Sequence, residues 1–134
     1  MLDIKIIENP ESTPLPEESK LGFGRYFTNH MFMMDYNKQE GWHNARIVPF
    51  GSISLHPAST VLHYGAEIFE GLKAYRRADG KVQMFRPIEN IRRLNRSAER
   101  LCLPIVDPDF MLEALKALVK VDEDWVPHKE GTSL

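Results

Sequence analysis

The side chains best suited to binding or catalysis belong to four arginines that fall within nine positions: Arg92, Arg93, Arg96 and Arg100. Apolar residues recur at helical spacing around them. The simplest interpretation is a solvated helix face, on which Glu89 and Arg93 form an i,i+4 ion pair. Arg93, however, lies at the border of the apolar stripe, where its planar guanidinium can enter a cleft and bind a phosphate dianion. It is the best single candidate for an anion contact.

Residues 62–76, LHYGAEIFEGLKAYR, form a second unusual stretch. Tyr64 and Phe69 are aromatic residues of the kind that usually fill a core. Gly65 and Gly71 interrupt the run, and glycine permits unusual backbone angles or the close approach of a ligand. Aromatic rings beside accessible backbone amides make a pocket wall with a few polar contacts. The stretch is therefore predicted to surround a small molecule with an apolar part and a charged part.

Arg93 and the aromatic pair Tyr64 and Phe69 are accordingly expected to face a shared cavity. Lys73 is the one lysine with apolar neighbours in the sequence. A lysine buried in such surroundings can act as a Schiff-base nucleophile. Lysines on strands usually point outward, however, so a surface position is the favoured interpretation of Lys73.

Several common chemistries lack their sequence motifs. The five histidines show no metal-ligand spacing, and no CxxC, HExxH, GxGxxG, Walker or GxSxG pattern occurs. We therefore expect neither a metal site, nor a nucleotide phosphate loop, nor a serine nucleophile.

Composition is typical of an ordinary folded domain. The chain has 134 residues, of which 43% are hydrophobic and 27% charged, and its formal charge of −2 argues against a nucleic-acid partner. Cys102, the single cysteine, is expected to be a buried, inert thiol in a reducing compartment. The first 20 residues carry five acidic groups and no apolar signal-peptide core, and no apolar run reaches membrane-spanning length. A cytoplasmic location is expected.

Local signals also predict the strands that position these residues. Residues 8–20, rich in Pro, Glu and Ser, indicate an extended, mobile arm. The aromatic and Met-rich runs between residues 23 and 49 predict two strands around a turn. Asp79-Gly80 predicts a hairpin with a tight primed turn, and its strands are expected near residues 71–77 and 82–86.

Two helices should follow the hairpin. Pro87 suits the first position of one helix, whose buried stripe is predicted to comprise Ile88, Ile91, Leu94, Ala98 and Leu101. Asp107 is the predicted N-cap of the second helix, and the acids at 122–124 are expected to lie just beyond its end. Its predicted apolar face consists of Met111, Leu112, Leu115, Leu118 and Val119. The order of elements predicts an α+β fold: a small sheet with a β-hairpin and two helices packed on one face.

Several segments together resemble one enzyme family. FGRYFTNHM, SLHPAST, LHYGAEIFEGLKAYR, NIRRLNRSAERLCLP and VKVDEDWVP are similar to segments of the branched-chain amino acid aminotransferases, which are fold-type-IV pyridoxal-phosphate enzymes. The likeness runs from about Phe23 to Leu134, and the order of the motifs makes it specific. The chain resembles the small N-terminal domain of such an enzyme.

The resemblance implies reversible transamination by a homodimer, in branched-chain amino acid biosynthesis. The amino group of leucine, isoleucine or valine would pass to pyridoxal 5′-phosphate and then to 2-oxoglutarate, giving glutamate and branched 2-oxo acids. By resemblance, Arg93 holds the cofactor phosphate. Tyr64, Phe69 and Phe23 line the pocket for the substrate side chain, and the backbone of Gly71 lies near the substrate carboxylate.

The sequence departs from the family in one decisive respect. The family's Schiff-base lysine lies in a larger second domain, and no lysine here matches it, Lys73 included. We therefore expect residues 1–20 to be a mobile arm and residues 21–134 to be the small N-terminal domain. That domain would have no catalytic residue of its own and would be inactive without its missing C-terminal domain.

Two alternatives stay open. The parent protein could be another fold-type-IV enzyme, such as a D-amino acid aminotransferase or an aminodeoxychorismate lyase. From a different class, the chain could be a non-catalytic binding or assembly module that has kept the fold. Activity on leucine against D-alanine separates the first alternative from the leading hypothesis, and the reading frame beyond Leu134 tests the second.

Overall fold

A computed structural model describes residues 3–134 as an α+β arrangement of two small sheets and three α-helices. The first sheet has the strand order β1-β3-β2 and consists of β1 (Lys5–Ile6), β2 (His30–Asn37) and β3 (Gly41–Pro49). The second is the hairpin of β4 (Ala74–Arg76) and β5 (Val82–Met84). The predicted α+β class is confirmed.

The three helices are α1 (Thr60–Tyr64), α2 (Pro87–Arg100) and α3 (Pro108–Val121), and single 3₁₀ turns form at Glu18–Lys20 and Glu123–Trp125. Helix α2 packs against α3, and α3 packs against strand β2. The predicted cap of α3 is confirmed, since the Asp107 carboxylate accepts a hydrogen bond from the Phe110 N–H at 2.7 Å. Among residues 3–134 no helix is long and apolar enough to cross a membrane.

Strands β2 and β3 confirm the predicted strand pair and run antiparallel, with Phe32 opposite the fully buried Ile47. Their register shifts at a bulge beside Asp35, where Asn44 adopts a left-handed φ of 53°. Asparagine tolerates this conformation better than most residues. Across the bulge, Arg46 donates to both carboxylate oxygens of Asp35, at 2.9 and 3.2 Å.

The hairpin predicted at Asp79-Gly80 is confirmed, but its turn is not a two-residue primed turn. The Arg77 N–H donates to the Lys81 carbonyl at 2.8 Å, so three residues form the loop. Gly80, with a φ of 80°, is its one residue with positive φ, whereas a type I′ turn needs two. The first strand begins at Ala74, later than predicted, and side chains bind both backbone polar groups of Gly71 ahead of it.

Helix α2 ends in a way that corrects two predictions. Leu103 N–H donates to the Ala98 carbonyl at 2.9 Å and Cys102 N–H donates to the Glu99 carbonyl at 3.2 Å, the pattern of a Schellman motif. Cys102 takes the left-handed position of that motif, with a φ of 55°. The chain therefore turns away from the helix axis, which leaves Leu101 49% exposed and Cys102 exposed. The predictions that Leu101 and Cys102 are buried were wrong.

The buried core is built mostly from small residues: Ala45, Ile47, Ala74, Ile91, Ala98, Val106, Ala114 and Val126. On α3 the fully buried residue is Ala114, which the predicted apolar face omitted. The larger residues of that face are half-buried, and Met111, Leu115, Leu118 and Val119 line an open cavity of about 410 Å³.

The predicted N-terminal arm makes specific contacts. Thr13 N–H donates to the side-chain oxygen of Asn29 at 2.8 Å. The Glu18 carboxylate accepts from the backbone N–H groups of His128 and Lys129, at 2.7 and 2.8 Å. These bonds tie residues 13–18 to two distant parts of the chain. The mobility of the arm and the domain boundary at residue 21 stay predictions.

Candidate functional site

Arg93 lies on α2 in a two-pronged ion pair with Glu70, which belongs to the irregular segment between α1 and β4. Arg93 Nε donates to Glu70 Oε2 at 2.8 Å, and Nη2 donates to Oε1. The expected Glu89–Arg93 pair does not form: Glu89 instead accepts from Arg92 Nη1 at 2.8 Å. The prediction failed because the guanidinium of Arg93 reaches across to another segment.

The pair is unequally exposed, since the Glu70 side chain is 13% accessible and that of Arg93 59%. Arg93 holds the pKa of Glu70 down at about 2, against the opposing effect of burial. Hydrogen bonds from Gly71 N–H and the Asn90 amide lower that pKa further. Glu70 in turn raises the pKa of Arg93. Both groups are therefore charged at neutral pH, and Arg93 presents its remaining surface outward.

Gly71 is engaged by side chains on both of its backbone polar groups. Its N–H donates to Glu70 Oε1 at 2.9 Å, and its carbonyl accepts from the Asn90 amide at 2.9 Å. Its φ is not positive, and an added Cβ would meet no atom within 4 Å. Gly65, by contrast, caps α1 with a φ of 55°. The backbone conformation therefore favours glycine at position 65 but not at position 71.

The three aromatic residues predicted to line the substrate pocket are strongly exposed. Tyr64 is 85% accessible and Phe69 91%, and Phe23 is completely accessible. Further exposed large apolar residues are Leu15, Phe27, Phe50, Ile53, Leu55, Leu62 and Phe85. Exposed apolar surface on this scale is typical of contact with another molecule or another part of a protein.

Two neighbouring cavities contain some of the predicted site residues. Gly71 lines the cavity of about 410 Å³, and Phe23 lines one of about 670 Å³. Thr28, Leu72 and Leu134 line both, so the two cavities adjoin. Arg93, Tyr64 and Phe69 line neither cavity. The shared cavity predicted for these three residues stays a prediction.

The remaining candidates from the sequence are Lys73 and the side chains that could bind a metal. Lys73 is exposed, immediately before β4, and borders the larger cavity. In the described part of the chain, no group of three or more His, Cys, Asp or Glu side chains could hold a metal ion. Sequence analysis did not identify Glu70 or Asn90 as site residues. The available signal was the position of Glu70, an acid between apolar neighbours.

Comparison with known proteins shows which proteins this chain is similar to. No family model matches the chain. It is 56% identical, over 89% of its length, to branched-chain-amino-acid transaminase 1 of Bacillus subtilis (strain 168). It is 53% identical over 89% to a probable branched-chain-amino-acid aminotransferase of Staphylococcus aureus (strain N315), and 47% identical over 99% to the mitochondrial branched-chain-amino-acid aminotransferase of Mus musculus.

The chain is similar in sequence to one part of proteins that are named aminotransferases. More particularly, it is a homologue of part of the branched-chain-amino-acid aminotransferases, which confirms the resemblance stated from the motifs. The chain spans about a third of the length of the relatives it matches, 33% or 34% of each.

Proposed function

We propose that the whole protein transfers the amino group of branched-chain L-amino acids to 2-oxoglutarate, using pyridoxal 5′-phosphate. In this proposal residues 1–134 supply binding surface and the rest of the protein supplies the reacting lysine. The observation that carries the proposal is the guanidinium of Arg93, fixed on one edge and open on the other. The names of the relatives support transamination of branched-chain amino acids.

The donor groups of Arg93 fit a phosphate. A guanidinium carries five N–H donors, and Glu70 accepts two of them. Within residues 3–134 the remaining three, on Nη1 and Nη2, have no hydrogen-bond partner, and the side chain is 59% exposed. Guanidinium groups bind phosphate oxygens through such paired donors. When bound, pyridoxal phosphate acts as an electron sink for the reaction.

The exposed aromatic residues would form the apolar side of the site. Burial of a branched aliphatic side chain is worth about 0.8 kcal/mol per CH₂, and Tyr64, Phe69 and Phe23 offer a wall for it. Gly71 has open space where a side chain would stand, which suits close approach of the substrate carboxylate. Its N–H is bound to Glu70, so the contribution proposed for Gly71 is room rather than a hydrogen bond.

We further propose that the protein is a cytoplasmic homodimer and that residues 1–134 are inactive without the remaining domain. The mouse relative is named as mitochondrial and the bacterial relatives are not, so the location is decided by experiment. Cell fractionation with an antibody tests the location, and sedimentation of the full-length protein tests the dimer. Activity on D-alanine in place of leucine would favour another fold-type-IV enzyme.

The reacting lysine can be located directly. The full-length natural protein is incubated with pyridoxal phosphate and reduced with borohydride, and the labelled peptide is identified by mass spectrometry. We expect a stoichiometric label outside residues 1–134. A stoichiometric label on Lys73 would contradict the proposed division of roles, and the absence of any label together with the absence of transamination would favour the binding or assembly module.

A further inference from the structure

Glu70 concentrates four hydrogen bonds on one carboxylate. It accepts from the Gly71 N–H at 2.9 Å, from the Asn90 amide at 3.3 Å, from Arg93 Nε at 2.8 Å, and from Arg93 Nη2. Its side chain is largely buried, whereas that of Arg93 is mostly exposed. The carboxylate is therefore the fixed member of the pair, and the guanidinium is held against it.

We infer that Glu70 is a positioning residue that orients Arg93 for the cofactor phosphate. This inference rests on the proposed function. Glu70 takes the Nε–Nη2 edge of the guanidinium, so the donors on the opposite edge point away from it in a fixed plane. An arginine without this contact would have to lose its side-chain freedom when the phosphate binds.

Glu70 also places the glycine segment relative to the same helix. Asn90, three residues before Arg93 on α2, donates to both Glu70 Oε1 and the Gly71 carbonyl. The carboxylate thus joins the segment proposed to lie near the substrate to the helix proposed to hold the phosphate. A substitution at Glu70 should alter the orientation of Arg93 most, because Arg93 donates two of the four hydrogen bonds.

Two effects of Glu70 oppose each other. Its negative charge reduces the attraction of Arg93 for a dianion, while its two hydrogen bonds hold the guanidinium in place. The Arg93 side chain is 59% exposed, so solvent and salt weaken the first effect on its open edge. The second effect persists, because a two-pronged contact fixes the plane of the planar guanidinium group. Orientation is expected to dominate.

The test compares two aldehydes that differ only in the phosphate. Binding of pyridoxal 5′-phosphate and of pyridoxal to the cofactor-free, full-length protein is measured by fluorescence titration. Glu70→Gln is expected to weaken binding of the phosphate form about tenfold, as loss of an outer-shell partner does at metal sites, and to leave pyridoxal unchanged. Glu67→Gln, an exposed acid on the same segment, is the matched control and should change neither.

A double-mutant cycle shows whether Glu70 acts through Arg93. Arg93→Ala is expected to weaken phosphate-form binding roughly a hundredfold, and Glu70→Gln should add nothing in that background. If Arg93→Ala has no effect, the proposed phosphate contact fails and the inference with it. If Arg93→Ala weakens binding while Glu70→Gln does not, only the positioning role fails. The positioning role is also overturned if Glu70→Gln weakens the binding of both aldehydes equally, or if it makes the phosphate form bind more tightly.

Discussion

The carboxylate of Asp122 binds His30 twice, across 92 residues of sequence. It accepts from the His30 backbone N–H at 3.0 Å and from the ring Nδ1 at 2.8 Å. The ring Nε2 accepts from the Asn9 N–H at 3.1 Å, so the partners assign the ring proton to Nδ1. Asp122 is 4% exposed. The pair joins the start of β2 to the residue that follows α3.

Removal of this carboxylate should destabilise the fold substantially. Asp122→Ala leaves the His30 N–H and Nδ1 without their acceptor in a buried site, which we expect to cost about 3 kcal/mol of unfolding free energy. Urea denaturation of the full-length protein measures the change. Asp124→Ala, at an exposed acid two residues away, should stay within about 0.5 kcal/mol. Equal effects of the two variants would contradict the structural role of Asp122.

These contacts mark the limit of what the sequence predicted. Gly80, Pro87 and Asp107 act on their immediate neighbours, so the hairpin and both helix starts could be located from local pattern. Acids 122–124 were correctly placed beyond α3. The burial of Asp122, however, depends on a residue 92 positions away, which no local spacing records.

The candidate site shows the same division. The border position of Arg93 on the apolar stripe identified it as a residue that could leave the polar face. Its partner could not be identified in this way, because Glu70 lies 23 residues earlier on an irregular segment. Local spacing favoured Glu89 instead, which binds Arg92. Cys102 looked buried among apolar neighbours, but the left-handed end of α2 directs it outward.

The ion pair of Glu70 and Arg93 should give stability a specific pH dependence. The pKa of Glu70 falls from 4.5 to about 2 on folding. A depressed carboxyl pKa stabilises the fold fully above the unfolded value, and that stabilisation is lost as pH falls through the folded value. We therefore expect the difference in unfolding free energy between the natural protein and Glu70→Gln to be constant from pH 7 to 5 and to shrink between pH 4.5 and 2.

Urea titrations of both proteins at pH 7, 5, 4 and 3 measure this difference. Glu67→Gln, in the same segment but exposed, serves as the control and should show no such trend. A difference that stays constant down to pH 3 would show that the pair does not hold Glu70 ionised.

The exposed aromatic residues permit a matched comparison of site and surface. Phe69 and Phe85 are similarly exposed, 91% and 80%, but only Phe69 is proposed to contact substrate. Loss of one ring from an apolar pocket removes about 1.5–3 kcal/mol of binding. Phe69→Ala should therefore lower kcat/KM for leucine by roughly 10- to 100-fold in the full-length protein. Phe85→Ala, outside the proposed pocket, should change kcat/KM for leucine less than about threefold. A larger effect of Phe85→Ala than of Phe69→Ala would remove Phe69 from the proposed pocket.

Gly65 and Gly71 should respond in opposite ways to the same substitution. An added Cβ meets no atom within 4 Å at either position, but Gly65 has a φ of 55° whereas the φ of Gly71 is not positive. Gly65→Ala should therefore cost about 1 kcal/mol of unfolding free energy through backbone strain. Gly71→Ala should leave that free energy unchanged or raise it by about 0.5 kcal/mol, because alanine restricts the unfolded chain.

Activity should show the reverse order. If Gly71 leaves room for the substrate, the Cβ added by Gly71→Ala should raise KM for leucine at least tenfold in the full-length protein, a loss of about 1.4 kcal/mol in binding. Gly65→Ala, the control, should keep the KM of the natural protein in the fraction that remains folded. Steady-state kinetics and urea denaturation on the same preparations measure both quantities. A Gly71→Ala protein with unchanged KM would remove the backbone of Gly71 from the proposed substrate contact, since the room at that position would then serve no ligand.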